Sequence, residues 1–116
     1  MVQEHRLGAD DVHWDLMVEA GPDQPLVTFQ LRGPPEGAGA AGRRTPDHRR
    51  AYLDYEGPVS GGRGAVSIWD RGAVVDEQGD PRAPRWRARF AGARLRGAWE
   101  LVDGAAAGEI HLRPGS

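Results

Sequence analysis

A histidine and an aspartate two residues apart are the first residues in this sequence that could do chemistry. With the two-residue period of a β-strand, residues 13–19 alternate between an apolar face that includes Trp14 and a polar face that carries His13 and Asp15. Residues two apart in a strand are separated by roughly 6.5–7 Å and point the same way. His13 and Asp15 could therefore bind one metal ion. The alternative is a solvent-exposed strand face on which they have no special role.

The residue types of the chain restrict which metal such a site could hold. There is no cysteine, so disulfides and thiolate metal sites are excluded. Any metal must be bound by His, Asp or Glu, which suits Mn or Zn better than an iron–sulfur site. Among the four histidines, His111 is expected on the surface of the last strand. His5, His13 and His48 are the candidates for chemistry.

Composition sets limits on partners and location. The chain has 116 residues, of which 17 are acidic and 15 are basic, so its net charge does not indicate nucleic-acid binding. All of the basic residues are arginine, so a guanidinium must make every cationic contact to phosphate, and it prefers bidentate geometry. The length predicts a single domain over residues 1–116. No apolar run could span a membrane and no signal peptide is recognisable, so a cytoplasmic location is expected.

Short alternating segments separated by Gly, Pro and Asp predict an all-β protein. The expected architecture is a compact closed or partly open β-barrel of about eight short, mainly antiparallel strands, with the second and third joined as a hairpin. The predicted strands are residues 2–5, 13–19, 26–31, 65–70, 73–76, 85–90, 94–102 and 109–112. Helix content is expected to be very low. One core is expected to contain Trp14, Phe29, Ile68, Trp86 and Trp99.

Two loops and one basic segment have open interpretations. Residues 33–47 are long for a loop in a compact domain, and we expect disorder at 37–42 and order toward His48. The glycine-rich loop 60–64 lacks the following helix that a phosphate-binding P-loop needs. Alternating arginines in residues 85–89 indicate either an edge strand protected by charge or a track for a nucleic-acid backbone.

Several segments, in order, resemble one known family over nearly the whole chain. The sequence is similar to the 3′-phosphoesterase domain of bacterial DNA ligase D, which also occurs as small stand-alone proteins. The matching segments are Val2-Gln3-Glu4-His5, His13-Trp14-Asp15-Leu16-Met17-Val18-Glu19, Asp47-His48 with Tyr52-Leu53-Asp54-Tyr55-Glu56-Gly57, Gly64-Ala65-Val66 through Trp69-Asp70-Arg71-Gly72, and Leu95-Arg96-Gly97-Ala98-Trp99-Glu100-Leu101-Val102.

The resemblance implies a compact β-barrel that uses Mn²⁺, or another divalent transition metal, to remove a 3′-phosphate or a 3′-terminal ribonucleotide. It implies that the metal is held by His5, His13 and Asp15. It also implies that the catalytic residues are His48, Arg32 and Tyr52, and that the phosphate is bound by Arg32, Tyr52 and one of Arg43 and Arg44. Arg32 stands where the family has a lysine.

Departures from the family pattern leave other functions open. Met17 stands where the ligase-fused members usually have an arginine, and two extra residues separate His5 from His13. The first hypothesis is an enzyme acting on DNA or RNA–DNA 3′ ends as a monomer, with DNA ligase D or another end-joining protein as a partner and no membrane association. The second is a catalytically weakened barrel that binds nucleic-acid ends or a repair protein as a recruitment module. A third is a small-ligand-binding barrel unrelated to DNA.

Overall fold

The computed structural model, which describes residues 1–115, contains one sheet of ten antiparallel strands. The strands are β1 (Val2–Gly8), β2 (Asp11–Glu19), β3 (Leu26–Leu31), β4 (Ala40–His48), β5 (Gly57–Pro58), β6 (Ala65–Asp70), β7 (Gly72–Gln78), β8 (Arg85–Gly92), β9 (Arg96–Asp103) and β10 (Glu109–Pro114). Their spatial order is β5-β6-β1-β2-β3-β4-β10-β9-β8-β7. The only helix in the described residues is a 3-10 helix at Arg50–Asp54, and no helix there is long and apolar enough to cross a membrane. The all-β prediction is confirmed, and closure into a barrel stays a prediction.

The sheet curls around one hydrophobic core that joins its two halves. Apolar residues from β1–β3 and from β8–β10 belong to the same buried cluster. The cluster contains Phe29, Trp86 and Trp99, as predicted, and Trp14 packs against it in a partly buried position. Trp69, and not Ile68, supplies the large apolar contact from β6. The prediction for Ile68 is wrong because its cross-strand partner is Gln3, which faces away from the core.

Strand β4 corrects the prediction of a loop over residues 33–47 with disorder at 37–42, because residues 40–42 lie in the strand and the connection from β3 is confined to residues 32–39. It pairs with both β3 and β10, although Gly and Ala are rare in strands. A Cβ on Gly42 would lie 2.1 Å from the carbonyl oxygen of Gln30, so the absence of a side chain permits the close approach of β3. Strands β4 and β5 raise the count from about eight to ten.

Strand β8 is not an edge strand, so the edge-protection interpretation of its arginines is wrong. It lies between β7 and β9 in the sheet. Two of its outward arginines form ion pairs with neighbouring strands, Arg87 with Glu100 at 3.7 Å and Arg89 with Glu77 at 3.3 Å. These arginines therefore cross-link adjacent strands on the outer surface.

Asp70, at the end of β6, ties that strand to the turn between β8 and β9. Its buried carboxylate accepts hydrogen bonds from the backbone N–H groups of Arg71, Ala93, Arg94 and Leu95 at 2.7–3.0 Å. Burial alone would raise the pKa of Asp70, but these four donors outweigh burial and hold the pKa below its ordinary value.

We expect Asp70→Asn to lower the free energy of unfolding by about 3 kcal/mol, because an amide NH₂ would face two backbone donors that then lose their acceptor. Since the folded pKa is depressed, the stabilisation is present above the unfolded pKa of about 3.9 and is lost as pH falls through the folded pKa. Urea unfolding of both proteins between pH 3 and pH 7 measures this, and their difference should shrink in acid. The control is Asp54→Asn, whose side chain is 82% exposed and should contribute little. Equal stabilities of Asp70→Asn and the wild type at pH 7 would contradict the assignment.

Candidate metal centre and phosphate site

Most of the predicted site residues lie on the side of β1–β4 that faces away from the hydrophobic core, which we call the site face. Cross-strand pairing defines it, because directly opposed residues of antiparallel strands point to the same side. The opposite side of these strands contributes to the core. Residues of the site face are Gln3, His5, His13, Asp15, Met17, Leu26, Thr28, Gln30, Arg43 and His48.

Three of these side chains converge at one end of the site face. His5 and His13 are direct cross-strand partners in β1 and β2, with ring centroids 4.7 Å apart. Asp15 follows two residues later on the same face, and its carboxylate lies 3.3 Å from His13 Nε2. One ligand atom from each residue can be chosen so that all three atoms lie within 4.8 Å of one another. We call His5, His13 and Asp15 the metal group.

The donor set of the metal group fits a divalent transition metal. It offers two imidazole nitrogens and one carboxylate oxygen, the ligand types that suit such ions. Asp15 is only 4% exposed, which limits competition from water for its carboxylate. Three protein ligands also leave coordination positions open for a substrate. The structure thus provides a possible site for a divalent metal ion.

Two arginines stand beside the metal group on the site face. Gln30 pairs with Asp15 on one side and with Arg43 on the other, so Arg43 lies two strands from the metal group at the same level of the sheet. The Arg43 Nε–H donates to Gln30 Oε1 at 3.0 Å, which orients the guanidinium. Arg32, just after β3, is exposed and lines the same cleft as His13 and Arg43.

Arg44 points to the opposite side of β4 and does not reach the metal group. Its guanidinium lies 5.3 Å from the ring centroid of Phe29, a core residue. It also donates to Asp103 Oδ1 at 3.1 Å and to the carbonyl oxygens of Pro81 and Ala83 at 2.8 and 2.6 Å. Arg44 is therefore a structural residue, and of the two adjacent arginines only Arg43 faces the site.

His48 and Tyr52 form a second group at the other end of the site face. Their rings meet edge to face with centroids 5.5 Å apart. His48 pairs with Leu26. Leu26 lies four residues along β3 from Gln30, which is at the level of the metal group, and this separation is about 13 Å at strand spacing. The structure thus places these residues on the face of the metal group without bringing them into contact with it. His48 Nδ1 is buried and has no hydrogen-bond partner among the described residues.

Met17 lies between the levels of the two groups along β2. It is 1% exposed and lies on the same face as Asp15, two residues further along β2. The centre of the site face, where Met17 pairs with Thr28, is consequently buried. The polar face predicted for residues 13–19 is correct for His13 and Asp15 but not for this buried methionine.

The sequence did not single out Arg63, which contacts the metal group through its backbone. Its carbonyl oxygen lies 2.7 Å from His5 Nε2. A contact made by a backbone carbonyl does not depend on residue type, so the sequence cannot predict it. The only signal in the sequence is the run of glycines at 60–64, which by itself points to a tight loop and not to a histidine partner.

Comparison with known proteins gives one family. A family model described as "DNA Ligase D 3'-phosphoesterase domain" matches residues 3–103. A search of curated proteins gave no match. The matched range includes the metal group, Arg32, Arg43, His48 and Tyr52.

Proposed function

The chain belongs to the DNA ligase D 3′-phosphoesterase domain family, and from this premise we propose that it is a Mn²⁺-dependent phosphoesterase. Its substrates would be DNA or RNA–DNA 3′ ends in repair, from which it removes a 3′-phosphate or a 3′-terminal ribonucleotide. The observation that carries the proposal is the convergence of His5, His13 and Asp15 within 4.8 Å beside two outward arginines. DNA ligase D or another end-joining protein is the partner that this role suggests.

The metal group would hold Mn²⁺ through two imidazoles and one carboxylate. A bound divalent ion supplies Lewis-acid stabilisation of phosphate charge and lowers the pKa of bound water. The protein contributes the placement of its ligands. His5 and His13 are fixed by direct pairing of β1 with β2, and Asp15 by its position two residues along β2.

Arg32 and Arg43 would bind the phosphate group of the substrate. A guanidinium can donate two parallel hydrogen bonds to phosphate oxygens while neutralising their charge. Arg43 uses Nε for Gln30, which leaves its terminal nitrogens for a ligand. Arg32 has no side-chain hydrogen bond or ion pair to any described residue.

His48 would act as general acid toward the leaving oxygen of the substrate, with Tyr52 holding the imidazole edge-on. Histidine suits this role because its ordinary pKa lies close to neutral pH. A general acid must lie within about 3 Å of the leaving oxygen. In this role the His48 end of the site face would therefore have to move toward the phosphate at the metal group when the substrate binds.

The proposed activity is tested with labelled primer–templates that carry either a 3′-phosphate or a 3′-terminal ribonucleotide. Incubation with the protein and Mn²⁺ should shorten or dephosphorylate the primer, and chelation should stop the reaction. A primer with an ordinary 3′-hydroxyl deoxynucleotide end is the substrate control. Lack of turnover on both modified ends by protein that binds Mn²⁺ would refute the proposal.

We expect Arg43→Ala to lower kcat/KM about 10–100-fold, because the phosphate loses a charge-assisted hydrogen-bonding partner on an otherwise intact face. Steady-state kinetics on the primer–template gives the value. The matched variant is Arg44→Ala, which should lower the melting temperature through lost contacts to Asp103, Pro81 and Phe29. If Arg44→Ala were the more damaging to catalysis at temperatures where it is folded, our assignment of the two arginines would be reversed.

A recruitment module is the second candidate function, and Met17 is the observation that favours it. Where ligase-fused relatives usually have an arginine, this buried methionine offers no cation between the metal group and His48. A protein of this kind would bind a phosphorylated 3′ end without turnover. The primer–template assay, combined with measurement of binding to the same DNA, separates the two functions.

A further inference from the structure

The glycine-rich loop between β5 and β6 packs against the metal group. At the base of residues 60–64, the Val59 N–H donates to the carbonyl of Gly64 at 2.8 Å and closes the loop. The Arg63 side chain folds back, and its Nε–H and Nη2 donate to Ser60 O at 2.7 Å and Ser60 Oγ at 3.2 Å. This fixed loop presents the Arg63 carbonyl oxygen to His5 Nε2 at 2.7 Å.

The chemistry of that contact determines the tautomer of His5. A carbonyl oxygen can only accept a hydrogen bond, so Nε2 must carry the proton. In the neutral imidazole the lone pair is then on Nδ1. A histidine that binds a metal commonly donates its other ring N–H to a carbonyl or carboxylate, which fixes ring orientation and basicity.

We propose that the loop formed by residues 60–64 is a positioning element for the metal group. Through the Arg63 carbonyl it holds His5 as the Nε2–H tautomer and makes Nδ1 the metal-binding atom. This inference rests on the metal site of the proposed function, but it concerns the ligand atom and the loop that selects it. The loop binds no phosphate in this role.

Gly64 fits this role because the loop must approach β1 closely at that residue. Its φ is +75°, and a Cβ there would lie 2.1 Å from the carbonyl oxygen of Arg6. Any side chain would push the loop away from β1, and with it the adjacent Arg63 carbonyl. Gly62 has a similar φ of +69°, but a Cβ at that position would have no atom within 4 Å. The two glycines thus provide a variant pair with matched backbone strain and different contacts.

The first test is ¹⁵N NMR of the histidine rings in the metal-free wild type at pH 8, where an ordinary imidazole is neutral. His5 should show a protonated Nε2 and an unprotonated Nδ1. Addition of ¹¹³Cd²⁺ as a diamagnetic probe should give a cadmium–nitrogen coupling at Nδ1 of His5. A protonated Nδ1 in the metal-free protein, or coupling at Nε2, would overturn the proposal.

The second test compares Mn²⁺ affinity of the wild type, Gly64→Ala and Gly62→Ala by calorimetry. Gly64→Ala should bind about 10–100-fold more weakly, the usual effect of losing an outer hydrogen-bond partner of a ligand. Gly62→Ala should bind as tightly as the wild type. Equal affinities in all three proteins would overturn the proposal, and if Gly64→Ala fails to fold, the NMR result on the wild type decides. Neither test uses substrate, so failure of the phosphoesterase activity alone would leave this inference standing.

Discussion

Asp15→Asn should weaken Mn²⁺ binding by at least ~100-fold, since loss of even an outer partner of a metal ligand costs 10–100-fold. Asp15 supplies the only carboxylate of the metal group and is 4% exposed. Asparagine keeps the shape of the side chain but removes its negative charge. The fold should survive, because the asparagine amide can still face His13 across the same 3.3 Å contact. Calorimetric titration with Mn²⁺ measures the effect.

The control for this variant is Asp54→Asn, an exposed carboxylate that belongs to an ion pair with Arg71 and not to the metal group. It should titrate like the wild type. Activity on the primer–template should fall in parallel with metal occupancy in Asp15→Asn and recover partly at high Mn²⁺ concentration. Unchanged Mn²⁺ affinity in Asp15→Asn would show that the ligands are wrongly assigned.

Strand periodicity predicts two of the three residues of the metal group from local sequence alone. His13 and Asp15 lie two residues apart, so a β-strand necessarily puts them on one face. The position of His5 could not be obtained this way, because it depends on the register of β1 against β2. In the structure His5 is the direct partner of His13. At the level of sequence, only the resemblance to a family connects these two histidines.

Sequence reasoning missed strand β4, whose conformation depends on pairing with its two neighbouring strands. Ala40–His48 has low intrinsic β propensity, and its pairing with β3 and β10 determines its conformation. Without a recognised strand, the alternation of Arg43 and Arg44 could not be assigned to faces. Once β4 is placed, pairing of Arg43 with Gln30 and of Arg44 with Phe29 separates the two roles.

His48→Ala should reduce kcat by about 10²–10⁴-fold, the range for loss of a positioned general acid. Mn²⁺ affinity should be unchanged, because His48 is remote from the metal group. Its partner Leu26 lies four residues along β3 from the level of that group. The fold should also be retained, because buried His48 Nδ1 has no hydrogen-bond partner in the described part of the chain. Single-turnover kinetics with saturating protein measures the effect on the chemical step. His111→Ala, on the exposed side of β10, is the matched histidine control and should behave like the wild type.

The same variant separates the enzyme from the recruitment module. A module has no turnover to lose, and His48→Ala would instead weaken its binding to a 3′-phosphorylated end by about 1–3 kcal/mol, the value of a hydrogen bond to a charged group. If the protein is an enzyme in which His48 acts only after binding, His48→Ala would keep its affinity for the 3′-phosphorylated end and have a lower kcat. Unfolding of His48→Ala would contradict both accounts, because it would make the His48–Tyr52 contact a requirement of the fold. A loss of rate with Mn²⁺ affinity and DNA affinity intact is the result expected here, since the metal group and the two outward arginines remain in place to bind the phosphate.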